Sequence, residues 1–197
     1  MRKNIIIGVS VILLSLSGVI LYNNNKTDKD LPIYYSHAAY MYDTSTPEKA
    51  IGISENVIVA RIDRVKDTVY KHPIEIVKDN ETKIVYTPYT IYEITVIENI
   101  KGSIKVNEKI DFMQYGGLNY DEQSYTLLDD SPLLTVGNYY ILMPSWWEEN
   151  SERILEISEK TRMIDLGQTL STSAYNTLDR YRVAYTNQYV PEKLRTE

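Results

Sequence analysis

From Val57 to Ile62 apolar residues occupy both alternating sets of positions: Val57 and Val59 on one, Ile58, Ala60 and Ile62 on the other. A strand with both faces apolar is covered on both sides, so the pattern predicts a strand over Asn56–Val69 whose first half is buried twice over. Val85–Ile100 predicts the longest strand. Tyr92, Ile94 and Val96 fall on one face and Ile91, Glu93, Thr95 and Ile97 on the other, and the stretch is rich in β-branched and aromatic residues. Shorter strands are predicted at Lys109–Gln114, with Ile110 and Phe112 inward, at Tyr139–Met143, ended by Pro144, and at Arg153–Ser158. Turn residues punctuate them at Gly102, Gly116–Gly117 and Gly137. Tyr70–Ile84, with His72 and Pro73, reads as a polar excursion. Leu118–Ser131 and Ser145–Asn150 read as loops.

Two helices frame the strands. Thr46 is a capping residue, Pro47 suits a first turn and Glu48 favours the positive end, so a short helix starts there and stops near Ser54. Ser171–Asn187 places Ala174, Leu178, Tyr181 and Tyr185 on one helical face. Ile33–Asp43 carries Tyr34, Tyr35, Tyr40 and Tyr42 and reads as an extended segment lying across the strands. Strands dominate without βαβ alternation. The expectation is a mainly β fold, a small closed or nearly closed barrel with a short N-terminal and a C-terminal helix packed on it.

Ahead of this domain runs Ile5–Tyr22, 18 residues without a charge, preceded by Arg2 and Lys3. At about 1.5 Å per residue it spans about 27 Å, close to the roughly 30 Å of a bilayer's hydrocarbon. A retained membrane anchor and a cleaved signal segment both fit; bulky residues at its end disfavour cleavage. Positive charge stays on the cytoplasmic side, which puts the remainder outside the cell, at the membrane or secreted. The predicted organisation is residues 1–22 as anchor or signal, 23–32 as linker and 33–197 as the extracytoplasmic domain.

Composition narrows the function. Hydrophobic residues at 43% and charged residues at 24% make a folding chain. Without Arg2 and Lys3, 19 basic residues face 27 acidic ones, and such a chain lacks the basic field that nucleic acids need. The absence of cysteine removes disulfides, zinc–thiolate sites and thiol catalysis.

Four pieces carry a resemblance: Glu55–Asp63, Tyr89–Gly102, Lys109–Gly117 and Leu133–Leu142. In this order they resemble a group of exported bacterial proteins, and through them the netrin-like module. That module is an oligonucleotide/oligosaccharide-binding (OB) type barrel, also present in tissue inhibitors of metalloproteinases. The resemblance covers Glu55–Met143 and implies a fold, not a chemistry. Those inhibitors act through an N-terminal cysteine on zinc; this chain has none, so that mechanism does not carry over.

Catalytic patterns are thin. Gly52–Asn56 holds half of a nucleophile-elbow motif, and the two histidines, His37 and His72, lie in a Tyr-rich segment and a polar stretch. Glu148 and Glu149 are adjacent and would point apart, which does not suit paired carboxylates. Asp129 and Asp130 with Asp121 and Glu122 offer hard oxygens for calcium only if the loop folds back. The reading is a non-enzymatic domain with no cofactor.

Aromatic usage is the anomaly: 18 tyrosines against one phenylalanine. A tyrosine packs its ring and keeps its hydroxyl wet or bonded, which suits contact surfaces. Tyr115, Tyr120, Tyr125, Trp146 and Trp147 are the candidate contact residues, for a protein partner at the cell envelope or, alternatively, a wall glycan. A carboxylate- or calcium-dependent hydrolase is the remaining alternative.

Overall fold

Local chemistry sets the first element as expected. Helix α1, Pro47–Ile53, is capped by Thr46, whose side chain accepts from the Lys49 N–H at 3.4 Å. The far end is tied by Ser54 Oγ donating to the Ala50 carbonyl at 2.6 Å. Lys101 Nζ donates to the Ile51 carbonyl at 2.8 Å, a cation at the negative end of a helix. The structure, a computed structural model, describes residues 31–194 apart from 79, 80, 130, 150, 151 and 158. Ile5–Tyr22 lies outside the described residues. Among those residues no helix is long and apolar enough to cross a membrane.

The fold is mainly β. Ten strands are described: β1 (Ile33–Ser36), β2 (Val57–Lys78), β3 (Glu81–Lys101), β4 (Lys109–Tyr115), β5 (Gly117–Leu118), β6 (Tyr125–Leu128), β7 (Tyr139–Leu142), β8 (Ser145–Glu149), β9 (Glu152–Ile157) and β10 (Met163–Gly167), followed by helix α2 (Thr172–Thr186). Seven form one sheet in the order β10-β7-β2-β3-β4-β9-β8, and β1-β6-β5 form a small second sheet. The ladder of the large sheet is open, with β10 and β8 at its ends, so of the closed or nearly closed barrel expected, closure is not shown. The ends come near each other at one corner, where Met143 N–H donates to the Arg162 carbonyl at 3.0 Å and Arg162 donates to Ser145 Oγ at 3.1 Å.

The double burial of β2 is real and has a visible cause. Ile58, Ala60 and Ile62 join Tyr92, Ile94, Val96, Phe112 and Leu155 in one core. Val57 and Val59 point the other way, into a second core beneath the helices with Ile51, Ile141, Leu178 and Tyr181. The α2 face is Ala174, Leu178, Tyr181 and Ala184; Tyr185 is exposed, contrary to expectation. Spacing alone does not choose between neighbours at the far end of a helical stripe, and here Ala184 is the one that joins the second core. The buried tyrosines keep their hydroxyls bonded. Tyr92 donates to Gln114 Oε1 at 3.3 Å and accepts from Leu134 N–H at 3.1 Å, while Tyr140 accepts from Thr135 N–H at 3.1 Å.

Three stretches expected as loop or excursion are strands. Tyr70–Ile84 belongs to a long hairpin: Tyr70 pairs with Pro88, and Ile74 with Val85 through to Lys78 with Glu81. His72, at φ +51°, and Pro73 sit in a bulge between the Lys71 and Ile74 registers. A proline is tolerated at a bulge with a free edge, so cross-strand pairing of β-branched residues overrides the turn signal. Ser145–Glu149 pairs throughout with Glu152–Glu156, which places the tryptophans on a strand. Within Leu118–Ser131, Tyr125–Leu128 pairs in parallel with β1, so Ile33–Ser36 lies beside this segment.

Candidate functional site

The large sheet splits on one side. β4 pairs with β9 only at Phe112–Leu155, Met113–Glu156 and Gln114–Ile157. Beyond Phe112 the two strands part, β9 staying with β8 while Lys109–Asp111 stay with β3. A groove of about 520 Å³ opens there. Its floor is Val69 and Ile91 with the almost fully buried Met113 beneath, residues on the face of β2, β3 and β4 opposite the first core. One wall is β2 at Lys71 and the other is β8 at Trp147.

Both tryptophans line this groove, though from opposite sides of β8. Trp146 pairs with Leu155 and packs on the first core; Trp147 pairs with Ile154 on the outward side. Each ring carries a cation on a face. Arg153 Cζ lies 4.2 Å from the Trp146 centroid, and Lys71 Nζ lies 4.0 Å from that of Trp147. Such contacts contribute about 0.5–2 kcal/mol each, according to how far they are desolvated. The cations are also held by carboxylates: Arg153 Nε is 3.0 Å from Glu148 and Lys71 Nζ is 3.5 Å from Glu149. The adjacent Glu148 and Glu149 thus serve opposite sides of the strand. Asp111, at the β4 rim, accepts from Lys66 Nζ through both oxygens at 2.9 and 2.8 Å.

The three tyrosines expected alongside do not line the groove. Tyr115 donates to Ser36 Oγ at 3.0 Å and stacks edge-on to Tyr89, centroids 5.3 Å apart. Tyr120, 66% exposed, stands between Tyr70 and Tyr86 with centroids 5.2 Å from each. Tyr125 lies on β6, opposite Leu118 and Ile33. Tyr120 packs on the hairpin, Tyr115 links it to β1, and Tyr125 sits within the small sheet, so the expected five-residue patch divides into a tryptophan groove and a separate tyrosine region. The missed groove residues had one readable signal: Ile91 and Met113 are apolar on the face opposite the core. Lys71 had none, because its partners lie on a strand far away in sequence, and Arg153 had none, because its partners face it only once β8 and β9 pair.

A second hollow, of about 410 Å³, is lined by Tyr40, Tyr42, Thr44, Asp129, Glu159 and Thr161. Its acceptors are engaged. Asp129 takes Tyr40 OH at 2.9 Å, and His37 Nδ1 lies 3.1 Å from its other oxygen. These bonds hold the Asp129 carboxyl below the usual range. Glu159 takes the hydroxyls of Thr44 and Thr161. Of the acids considered for calcium, Asp129 is thus bound to β1's continuation, Asp121 lies 3.6 Å from Lys83, and Asp130 is outside the described residues. His72 stacks on Tyr89 at 6.1 Å.

Compared with known proteins, the chain matches no protein-family model, and no curated protein is significantly similar to it.

Proposed function

We propose that this chain is an exported, membrane-tethered interaction domain, non-enzymatic, that docks a protein partner at the cell envelope in the tryptophan groove. The groove carries the reading: two tryptophans, an apolar floor and a rim of paired charges, the composition of an interface centre with a polar edge. The wall-glycan alternative needs open ring faces for stacking. Here Arg153 and Lys71 each cover a face, and Trp146 also packs on the core, which favours the protein partner. Exported location follows from Arg2, Lys3 and the apolar Ile5–Tyr22. A netrin-like, OB-type barrel remains the proposed fold family. One core drawing on β2, β3, β4, β7 and β9, and the approach of the sheet's two ends, support it.

The test is a photo-crosslinking residue placed at Ile154 of the full-length protein in intact cells. A dominant protein adduct that disappears when Trp147→Ala is added is the expected result. Adducts only with wall polymer, or with abundant neighbours regardless of Trp147, overturn the reading.

A further inference from the structure

The groove is lined by residues from both faces of the same strands. On β4 both Ile110 and Asp111 line it, and on β9 both Arg153 and Ile154 do. Successive residues of a strand point to opposite faces, so the hollow runs from the outward face, over Val69 and Ile91, down into the gap between β4 and β9. Among the described residues, no strand pairs with Lys109–Asp111 on the β9 side, nor with Glu152–Ile154 on the β4 side. Two short strand edges therefore face each other across the fork. A strand edge presents backbone N–H and C=O groups that another extended chain completes.

We propose that the fork takes an extended, uncharged segment of the partner polypeptide, which adds as a strand to the β4 edge at Lys109–Asp111. The inference rests on the protein-docking reading and supplies its mode. Charge selects the occupant. Asp111 is matched by Lys66, Glu148 by Arg153 and Glu149 by Lys71. A neutral segment leaves all three pairs intact, whereas a run of like charge has to break one. Size agrees: about 520 Å³ falls within the roughly 300–1,000 Å³ of enclosed ligand sites. At about 3.3 Å per residue that holds a few residues of extended chain, not a folded surface. Alternate side chains of the segment would stand on the outward face beside Ile91 and Trp147, and the intervening ones on the face of Ile110 and Trp146.

A random-sequence peptide library displayed on phage, panned against the full-length protein, is the probe. Trp147→Ala serves as the counter-screen. Enriched peptides should be apolar and uncharged at their centre and bind Trp147→Ala roughly 30-fold more weakly, the loss typical of a central aromatic anchor. An N-methyl scan of the best peptide, on the wild-type chain, then reads the backbone directly. Strand addition predicts that methylation at alternate positions abolishes binding. It also predicts slowed amide exchange at Lys109–Asp111 on peptide addition. Tolerance of N-methylation at every position overturns strand addition while leaving docking in the groove intact. Enrichment of no peptide over Trp147→Ala overturns it too; the in-cell crosslink at Ile154 then decides separately whether the groove docks protein at all. Because the methyl scan uses the unmodified protein, a folding defect in the tryptophan variant does not obscure it.

Discussion

β2 and β3 run through two different environments. Between Val57 and Ile62, β2 has β7 on one side and β3 on the other, with a core on each face. Past Ile62 the β7 pairing has ended, and past Thr90 towards its start β3 has no β4 pairing. What remains is a two-stranded arm, with Val77 70% exposed where Val59 is 1%. Both stretches are rich in β-branched residues and both are strands. Alternation and propensity therefore decide that a strand forms, while burial is decided by what lies on its faces. A two-stranded ribbon has little stability of its own. This arm is held at its base by Tyr120 between Tyr70 and Tyr86, and by Lys71 reaching Trp147 and Glu149.

The largest expected effect lies in the body. Ile94 is fully buried in the first core. Ile94→Ala should cost about 2–5 kcal/mol, since the cavity adds to the lost transfer energy. Denaturant unfolding checks this; a loss near that of an arm substitution would erase the distinction between the two environments.

Next comes the polar anchor inside the same core. Gln114 accepts from Tyr92 OH and from Leu134 N–H, and donates to the Pro132 carbonyl at 2.9 Å. Gln114→Ala should cost about 1–3 kcal/mol by leaving buried groups unpaired. Tyr92→Phe removes a hydroxyl that donates to Gln114 and accepts from Leu134 N–H, which Gln114 still bonds, and should cost about 1 kcal/mol. Equal losses would mean that Gln114 acts through packing alone.

Alkaline pH probes the body through its tyrosines. Burial, then the nearby carboxylate of Glu156, push the Tyr89 hydroxyl from 10.0 up to about 12, and burial pushes that of Tyr92 up as well. In the unfolded chain these phenols ionise near 10.0. The folded state holds more protons above that value, so their contribution is complete below pH 10.0 and is lost as pH rises through about 12. Phenolate absorbance followed alongside circular dichroism should show late-titrating tyrosines that ionise with loss of structure. Titration of every tyrosine near pH 10.0 with the fold intact would refute this.

The same contrast explains how much was legible in the sequence. The α1 cap, the doubly buried start of β2 and the alternation of β3 rest on local chemistry, and all are found. The arm was missed because His72 and Pro73 carry a turn signal that only the opposing β3 residues overrule. β8 was missed because Ser145–Asn150 has a polar end, and Trp146 and Trp147 become strand residues only through pairing with β9. Trp146 and Trp147 meet at a single groove, one on the core side of β8 and one outward. Tyr115, Tyr120 and Tyr125 were grouped with them on residue type, and only the sheet topology separates them. Lys71 and Arg153 gain their roles from cross-strand neighbours that one sequence does not reveal.

The smallest effect is the sharpest test of the comparison. Ile76, in the arm, is β-branched, paired with Lys83 and 47% exposed. Ile76→Ser changes a strand residue of the same type as Ile94, in the same hairpin. It removes little buried area, so it should move stability by no more than about 0.5 kcal/mol. Amide exchange along the arm would accelerate locally while the body's slow amides keep their rate, since partial openings are confined to weakly packed units. A global loss near that of Ile94→Ala would mean that the arm's faces are covered in the intact protein, and the arm would have to be treated as part of the core.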